Sequence, residues 1–221
     1  MSKQIIIGFT TEGTTDFQFL ESVIQRSFED VAFECSGELE ILPAQYIDKQ
    51  SGAFTEVVIG YAQQAGKRGF MVLCVHADAD APHDTGTFDN KIRPAFMAVN
   101  HMHGNHVCKN LVAIVPVQMT EAWMLSDKDL LKAEIGTSKS DVELGIHKSP
   151  EVYANPKQTI EAAIKIARQD LTRRHRRELT IVELYRPIGQ KLVLTKLENL
   201  PSYRKFKEAI RHAFRELNYL H

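Results

Sequence analysis

Short apolar runs alternate with amphipathic segments along the first 130 or so residues of the chain. Continuous apolar runs at residues 5–9, 70–75 and 111–117 are typical of strands buried on both faces of a sheet. Between and after them, apolar residues at helical spacing predict helices over residues 16–28, 53–65, 89–101 and 121–131. This alternation predicts an α/β fold with a mostly parallel sheet flanked by helices.

Two prolines modify this pattern. Residues 39–47 form a further strand candidate, which Pro43 weakens because proline has no N–H for a sheet ladder. Pro94 falls inside the helix predicted over residues 89–101, so we expect a kink or a late start there.

The last third of the chain has mainly helical spacing. Residues 136–155 are polar and rich in turn formers, and helices are predicted afterwards over residues 156–172, 178–185 and 202–219. The sequence therefore predicts an α/β domain over residues 1–135 and a helical subdomain over residues 150–221 that packs on it.

Composition narrows the function classes only slightly. The chain of 221 residues carries 27 basic and 28 acidic residues, so bulk charge does not favour wrapping of nucleic acid. Three widely spaced cysteines form no CxxC pair, which fits a reduced cytoplasmic protein. No apolar run approaches the ~20 residues that span a bilayer, so we expect a soluble protein without membrane contact.

Acidic side chains follow two of the predicted strands. The sequence TTEGTTD places Glu12 and Asp16 after the first run, and HADADAPHD places Asp78, Asp80 and Asp84 after the run at 70–75. The carboxyl ends of parallel strands share one edge of a sheet, where ligands bind. Residues two apart on a strand also share a face, so Asp78 and Asp80 can reach one ion.

Carboxylates gathered from separate strands suit a hard divalent cation. Glu12, Asp78 and Asp80 with water would complete the oxygen shell that Mg²⁺ or Mn²⁺ prefers. The competing interpretation is that these acids cap helices and decorate loops, since a lone DxD is commonly a turn. We favour the metal site, because both clusters follow buried strands.

These motifs resemble those of TOPRIM domains, the metal-dependent fold of topoisomerases, primases and OLD-family nucleases. In that family a glutamate follows the first strand and a DxD follows a later one, which correspond to Glu12 and to Asp78 and Asp80 here. The match is closer to a bacterial TOPRIM-like branch often encoded beside an ATPase in defence loci. It extends to the segments TEAWMLSD (residues 120–127), NPK (155–157) and SYRKF (202–206).

The resemblance implies a TOPRIM/Rossmann-like sheet and a phosphodiester-cleaving enzyme with Glu12, Asp78 and Asp80 as catalytic residues. It also implies a nucleic-acid substrate, with DNA favoured, and an ATPase partner in an anti-phage system. A homo-oligomer is a further expectation. One departure concerns Arg186, which follows Tyr185 where a lysine is expected; an arginine keeps the charge but is not readily deprotonated.

Other candidates have a structural and a functional interpretation. Glu121 is a candidate further metal ligand, or an acid at the positive end of a helix dipole. For Asp127 we favour the helix-start interpretation, and for Trp123 a core position over stacking on a base. His76 lies on the side of Asp78, and we favour a structural hydrogen bond. The loop with His101, His103, His106 and Cys108 matches no zinc spacing.

Basic residues near the C-terminus are the predicted nucleic-acid contacts. They are Lys157, Arg173, Arg174, Arg176, Arg177 and Arg204. Such groups hold a phosphate backbone by charge neutralisation, although a solvated helix surface also explains the run at 173–177.

Three functions remain open from the sequence. The first is a Mg²⁺- or Mn²⁺-dependent nuclease. The second is another phosphate-handling enzyme, although Asp80 is followed by Ala81 and Pro82 and not by the Thr or Val of a DxDx[TV] phosphatase. The third is a non-catalytic TOPRIM-like adaptor or sensor subunit.

Overall fold

The computed structural model describes residues 3–104, 106–169 and 179–220. Strands in these ranges pair only in parallel, in a four-stranded sheet of order β4-β2-β5-β6 and a separate β1-β3 pair. Their bounds are β1 Lys3–Ile5, β2 Ile7–Thr10, β3 Leu39–Ile41, β4 Gln45–Tyr46, β5 Val72–His76 and β6 Leu111–Ile114.

Helices surround the sheets and make up the C-terminal part. Their bounds are α1 Asp16–Ala32, α2 Phe54–Lys67, α3 Thr85–Thr87, α4 Arg93–Asn100, α5 Glu121–Met124, α6 Lys128–Ile135, α7 Pro156–Ala167, α8 Val182–Lys191, α9 Leu194–Leu197 and α10 Pro201–Glu216. A π-helical turn, Phe88–Ile92, joins α3 to α4, and a 3-10 turn covers Pro150–Val152. The predicted α/β class with parallel sheets and a mainly helical C-terminal part is confirmed.

Residues 72–75 of the central strand β5 are all apolar because helices cover both faces of the strand. Val72 and Cys74 contribute to the core under α1, whereas Leu73 and Val75 contribute to the core with α2 and α4. Successive side chains of a strand alternate between faces, so a strand covered twice needs apolar residues at every position.

The segment predicted as one strand over 39–47 is interrupted. Two short strands, β3 and β4, lie on either side of Pro43 and pair with different partners, β1 and β2. The prediction of a single strand is therefore wrong, because proline has no N–H to continue the ladder.

The helix predicted over 121–131 is also interrupted. Asp127 leaves helical backbone angles, and its side chain accepts a hydrogen bond of 3.1 Å from the Leu130 N–H, so it caps α6. The helix-start interpretation of Asp127 is confirmed. Pro94 lies in the first turn of α4, but helical backbone continues unbroken from Thr85 through the π-helical turn into α4, so the late start is wrong.

The C-terminal helices share a hydrophobic core with the sheet. Helix α8 packs so closely on α1 that a Cβ atom at Gly189 would come within 2.6 Å of the Phe19 carbonyl oxygen. Trp123 of α5 packs against Tyr203 and Phe206 of α10. The division into two domains stays a prediction. No helix in the described part of the chain is long and apolar enough to cross a membrane.

Candidate metal centre

Two acidic loops meet at the carboxyl edge of the sheet. Strands β2 and β5 are adjacent and parallel, with Thr10 level with Val75. The chain leaves both strands at the same edge, so Glu12 follows β2 at the place where Asp78 and Asp80 follow β5. The prediction that both acidic segments lie at the carboxyl edge of a parallel sheet is therefore confirmed.

Glu12 and Asp78 are in direct contact. The backbone N–H of Asp78 donates to Glu12 Oε2 over 3.1 Å. The pKa of the Asp80 carboxyl is raised above its ordinary value, first by burial and then by the charges of Asp78 and Glu12. Glu12, Asp78 and Asp80 thus concentrate negative charge at this edge of the sheet, but among the described residues their side-chain oxygens do not gather within 4.8 Å of one another.

Asp80 is presented by an unusual backbone conformation. Its φ angle is 51°, in the left-handed region, and its N–H donates to the Gln118 carbonyl oxygen over 2.8 Å. Among side chains that carry a Cβ, asparagine and aspartate tolerate this region best. The side chain is exposed, and no lysine or arginine of the described residues forms an ion pair with it.

A buried histidine and a threonine hold Asp78 in place. His76 Nδ1 accepts the Glu12 N–H over 3.2 Å, and a backbone N–H can only donate, so the proton of the neutral ring lies on Nε2. His76 Nε2 lies 3.2 Å from Asp78 Oδ1 and 3.1 Å from Thr120 Oγ1. The Thr120 N–H also donates to Asp78 Oδ1 over 3.0 Å. The structural hydrogen bond predicted for His76 is confirmed.

Opposing effects act on the protonation of His76. Burial lowers its pKa, but the hydrogen bond to Asp78 and the charges of Asp78, Asp16 and Glu12 raise the pKa above its ordinary value. Protonation would place a hydrogen on Nδ1 and remove the acceptor for the Glu12 N–H. The ring therefore couples the two acidic loops through its neutral form.

A second ligand set lies deeper in the site. Asp16, His76 and Asp78 each offer a ligand atom, and these atoms lie within 4.8 Å of one another. However, Asp16 Oδ2 accepts the Gly13 N–H over 2.9 Å, and burial, the largest influence, raises the pKa of Asp16. His76 Nε2 would have to lose its proton to bind a metal. Among the described residues this is the group whose ligand atoms converge, and the roles of Glu12 and Asp80 as metal ligands stay predictions.

Comparisons with known proteins give no relative from which to transfer a function. Neither the family models, nor the curated proteins, nor the solved structures contain a match to this chain. The chemistry of the site is therefore argued from its own residues.

Glu121 lies buried on the inner side of the site. Tyr185 donates its hydroxyl hydrogen to Glu121 Oε1. Burial, together with the charges of Asp16 and Asp78, raises the pKa of the Glu121 carboxyl, although the Tyr185 hydrogen bond opposes this. Glu121 is thus near the acidic cluster, and its role as a metal ligand stays a prediction.

Glu121→Gln should stabilise the protein increasingly as pH rises above 4.5, the ordinary pKa of the glutamate. The folded wild type holds this proton more tightly than the unfolded chain does. Its stability therefore falls as pH rises towards the folded pKa, and a glutamine, which still accepts from Tyr185, avoids that loss. Urea unfolding between about pH 5 and pH 8 measures the difference. Glu161→Gln on the exposed face of α7 is the control, and an equal response of both variants would contradict the prediction.

Two lysines that the sequence analysis did not select lie beside Glu12. Lys49 Nζ donates to the Glu12 carbonyl oxygen over 2.7 Å, and Lys91 Nζ lies 4.0 Å from Glu12 Oε1. They belong to the loop after β4 and to the π-helical turn. Neither lies in a recognisable motif, and only the folded arrangement brings them to the site.

Other selected residues have structural partners. Lys205 Nζ lies 2.7 Å from both carboxylate oxygens of Asp84, which is thereby neutralised away from the cluster. Trp123 is fully buried and donates to Ser202 Oγ over 2.7 Å, which confirms its core position. In the described ranges, the histidines after α4 do not gather with Cys108 into a ligand group.

The predicted nucleic-acid contacts are only partly within the described structure. Lys157 lies exposed in the first turn of α7. Arg204 is exposed on α10 and donates to the Glu198 carbonyl oxygen over 3.0 Å. Arg173, Arg174, Arg176 and Arg177 lie outside the described residues. All six stay predictions.

Proposed function

We propose that this chain is a TOPRIM-like nuclease that hydrolyses phosphodiester bonds with Mg²⁺ or Mn²⁺. The observation that supports this proposal is that Glu12, Asp78 and Asp80 follow two adjacent parallel strands at one edge of the sheet, with the Asp78 N–H bonded to Glu12 Oε2. Such a cation, when bound, activates water and stabilises the charge that develops on the phosphate.

The donor set fits a hard cation. All three side chains offer carboxylate oxygens. Burial and then the charges of Asp78 and Glu12 raise the pKa of Asp80, and a bound cation would offset the repulsion between the three carboxylates. Thr120 and His76 bind Oδ1 of Asp78, and no contact to Oδ2 occurs among the described residues. Asp78 can therefore offer its second oxygen without losing its support.

Further residues prepare the site for an anionic substrate. Lys49 and Lys91 bring positive charge next to Glu12. This charge would offset the repulsion between an anionic phosphodiester and the three carboxylates. His76 and Thr120 fix the orientation of Asp78, as hydrogen-bonding partners of metal ligands commonly do. The DNA substrate, the ATPase partner and the homo-oligomer implied by the resemblance stay predictions.

The test combines metal binding with cleavage. Calorimetry with Mn²⁺ should show binding by the wild type, which should also cut a labelled oligonucleotide. Asp78→Asn keeps the Oδ1 acceptor for Thr120 but removes the charge, so cation affinity and cleavage should both fall at least about 100-fold. Asp129→Asn on the exposed part of α6 is the matched control and should behave as wild type. Unchanged cleavage by Asp78→Asn, or absence of metal binding by the wild type, would refute the proposal.

A further inference from the structure

A cavity of about 270 Å³ opens beside Glu12 at the edge of the candidate metal centre. Glu12 and His76 form the wall that it shares with the candidate metal centre, and Lys49 and Lys91 also line it. Its volume is close to the lower end of ligand pockets, roughly 300 Å³, so it has room for one small unit of a larger molecule.

One face of the cavity is apolar and is formed by a single helix. Phe54, Val57, Val58 and Tyr61 of α2 line it. Residues three, four and seven apart share one face of a helix, so these side chains lie on one side of the cavity. Phe54 and Val57 are partly exposed there, whereas Val58 and Tyr61 are buried in the core. Apolar and aromatic surfaces of this kind hold a nucleobase by stacking and contact, with little dependence on the base.

Positive charge lies on the side of the cavity that borders Glu12. Lys49 uses one of its three N–H donors on the Glu12 carbonyl oxygen, and no carboxylate lies within ion-pair distance of it in the described ranges. Lys91 is only 4.0 Å from Glu12 Oε1, at the outer limit of an ion pair. Both ammonium groups therefore have donors left for a phosphate.

We propose that this cavity takes one unpaired nucleotide of a nucleic-acid strand. Its base lies on the face formed by α2, and its phosphate lies on Lys49 and Lys91. A base within a duplex is paired and stacked, and must be extruded before it can enter such a cavity. The substrate class is thus a single strand or a frayed end. This inference rests on the proposed function, since the bound nucleotide neighbours the phosphodiester that the carboxylates address.

The experiment measures binding without cleavage. Fluorescence anisotropy with Ca²⁺, a hard cation that also takes oxygen ligands, compares a labelled single-stranded oligodeoxynucleotide with a blunt duplex of equal length. Wild type should bind the single strand more tightly. The double variant Lys49→Ala/Lys91→Ala should lose roughly tenfold or more in affinity for it, and the slope of log affinity against log salt should fall by about 1.4, or about 0.7 for each lost phosphate contact.

Lys67→Ala/Lys109→Ala is the matched control, because it removes the same charge at the opposite edge of the sheet. Lys67 ends α2 and Lys109 precedes β6, and both are exposed. Its affinity should stay within about twofold of wild type. Val57→Phe fills the cavity without a charge change. It should weaken binding of the single strand but not of the duplex. Circular dichroism checks the fold of each variant.

Three results would overturn the inference. An equal loss in both double variants would indicate bulk electrostatics, and no loss in Lys49→Ala/Lys91→Ala would show that these lysines do not bind the strand. The third is equal affinity of wild type for single strand and duplex. Failure of the proposed function has a different signature. It would appear as single-strand binding that depends on Lys49 and Lys91, with no Mn²⁺-stimulated cleavage of the same oligonucleotide.

Discussion

Asp80→Asn should lower metal-dependent cleavage at least about 100-fold while leaving the folded protein as stable as wild type, or more stable. The loss is expected because Asp80 is an exposed candidate ligand that has no ion-pair partner among the described residues. The gain is expected because burial and the charges of Asp78 and Glu12 raise its pKa, so its ionisation opposes folding at neutral pH.

Asparagine is the appropriate replacement at this position. The φ angle of 51° is tolerated by asparagine, whereas an alanine would add backbone strain and confuse a loss of charge with a loss of shape. Cleavage assays and urea unfolding at neutral pH test both halves of the prediction, with Asp129→Asn as the control. The stability difference should disappear below pH 3.8, the ordinary pKa of the aspartate. A variant that cuts normally, or that is clearly less stable, would contradict the prediction.

Trp123→Ala should destabilise the protein by about 3–5 kcal/mol, the largest effect expected for a single core substitution. The indole is fully buried between Tyr203 and Phe206 of α10, and it links α5 to that helix through Ser202. Removal of the ring leaves a cavity at the junction of the sheet and the C-terminal helices. Urea unfolding followed by far-ultraviolet circular dichroism is the measurement, because Trp123 is the only tryptophan.

Trp123→Phe separates packing from hydrogen bonding. It keeps an aromatic ring but loses the bond to Ser202 Oγ, which still donates to Glu151 Oε1 over 2.5 Å. Its cost should be about 1–2 kcal/mol. An alanine variant that loses less than about 1 kcal/mol would show that the junction relaxes around the gap.

Local patterns predicted the sheet well wherever burial was uniform. The run at 70–75 could only be a strand covered on both faces, and β5 lies between two cores. The prediction of continuous strands and helices failed where a single residue interrupts an otherwise regular apolar pattern. Pro43 divides residues 39–47 into strands with different partners, and Asp127 ends one helix and caps the next. Apolar spacing does not contain that information, because caps and ladder hydrogen bonds depend on individual donors and acceptors.

The candidate site was predictable to the extent that strand ends define it. Glu12, Asp78 and Asp80 follow neighbouring parallel strands, so the fold places them at the same edge of the sheet. Lys49, Lys91 and Thr120 lie on other elements, and their approach depends on loop paths that the sequence does not reveal. Their individual residue types carried no signal, since surface lysines and threonines are common.

The π-helical turn at Phe88–Ile92 has a consequence for the length of the chain at this point. A π turn holds one more residue than an α-helical turn, so deletion of Ile92 would restore regular spacing and rotate the preceding residues, Lys91 included, by about 100° relative to α4. Lys91 would then leave Glu12 although every charge had been retained. The number of residues in this turn thus determines whether Lys91 lies beside Glu12. A related protein that lacks one residue here would have a different side chain next to its glutamate.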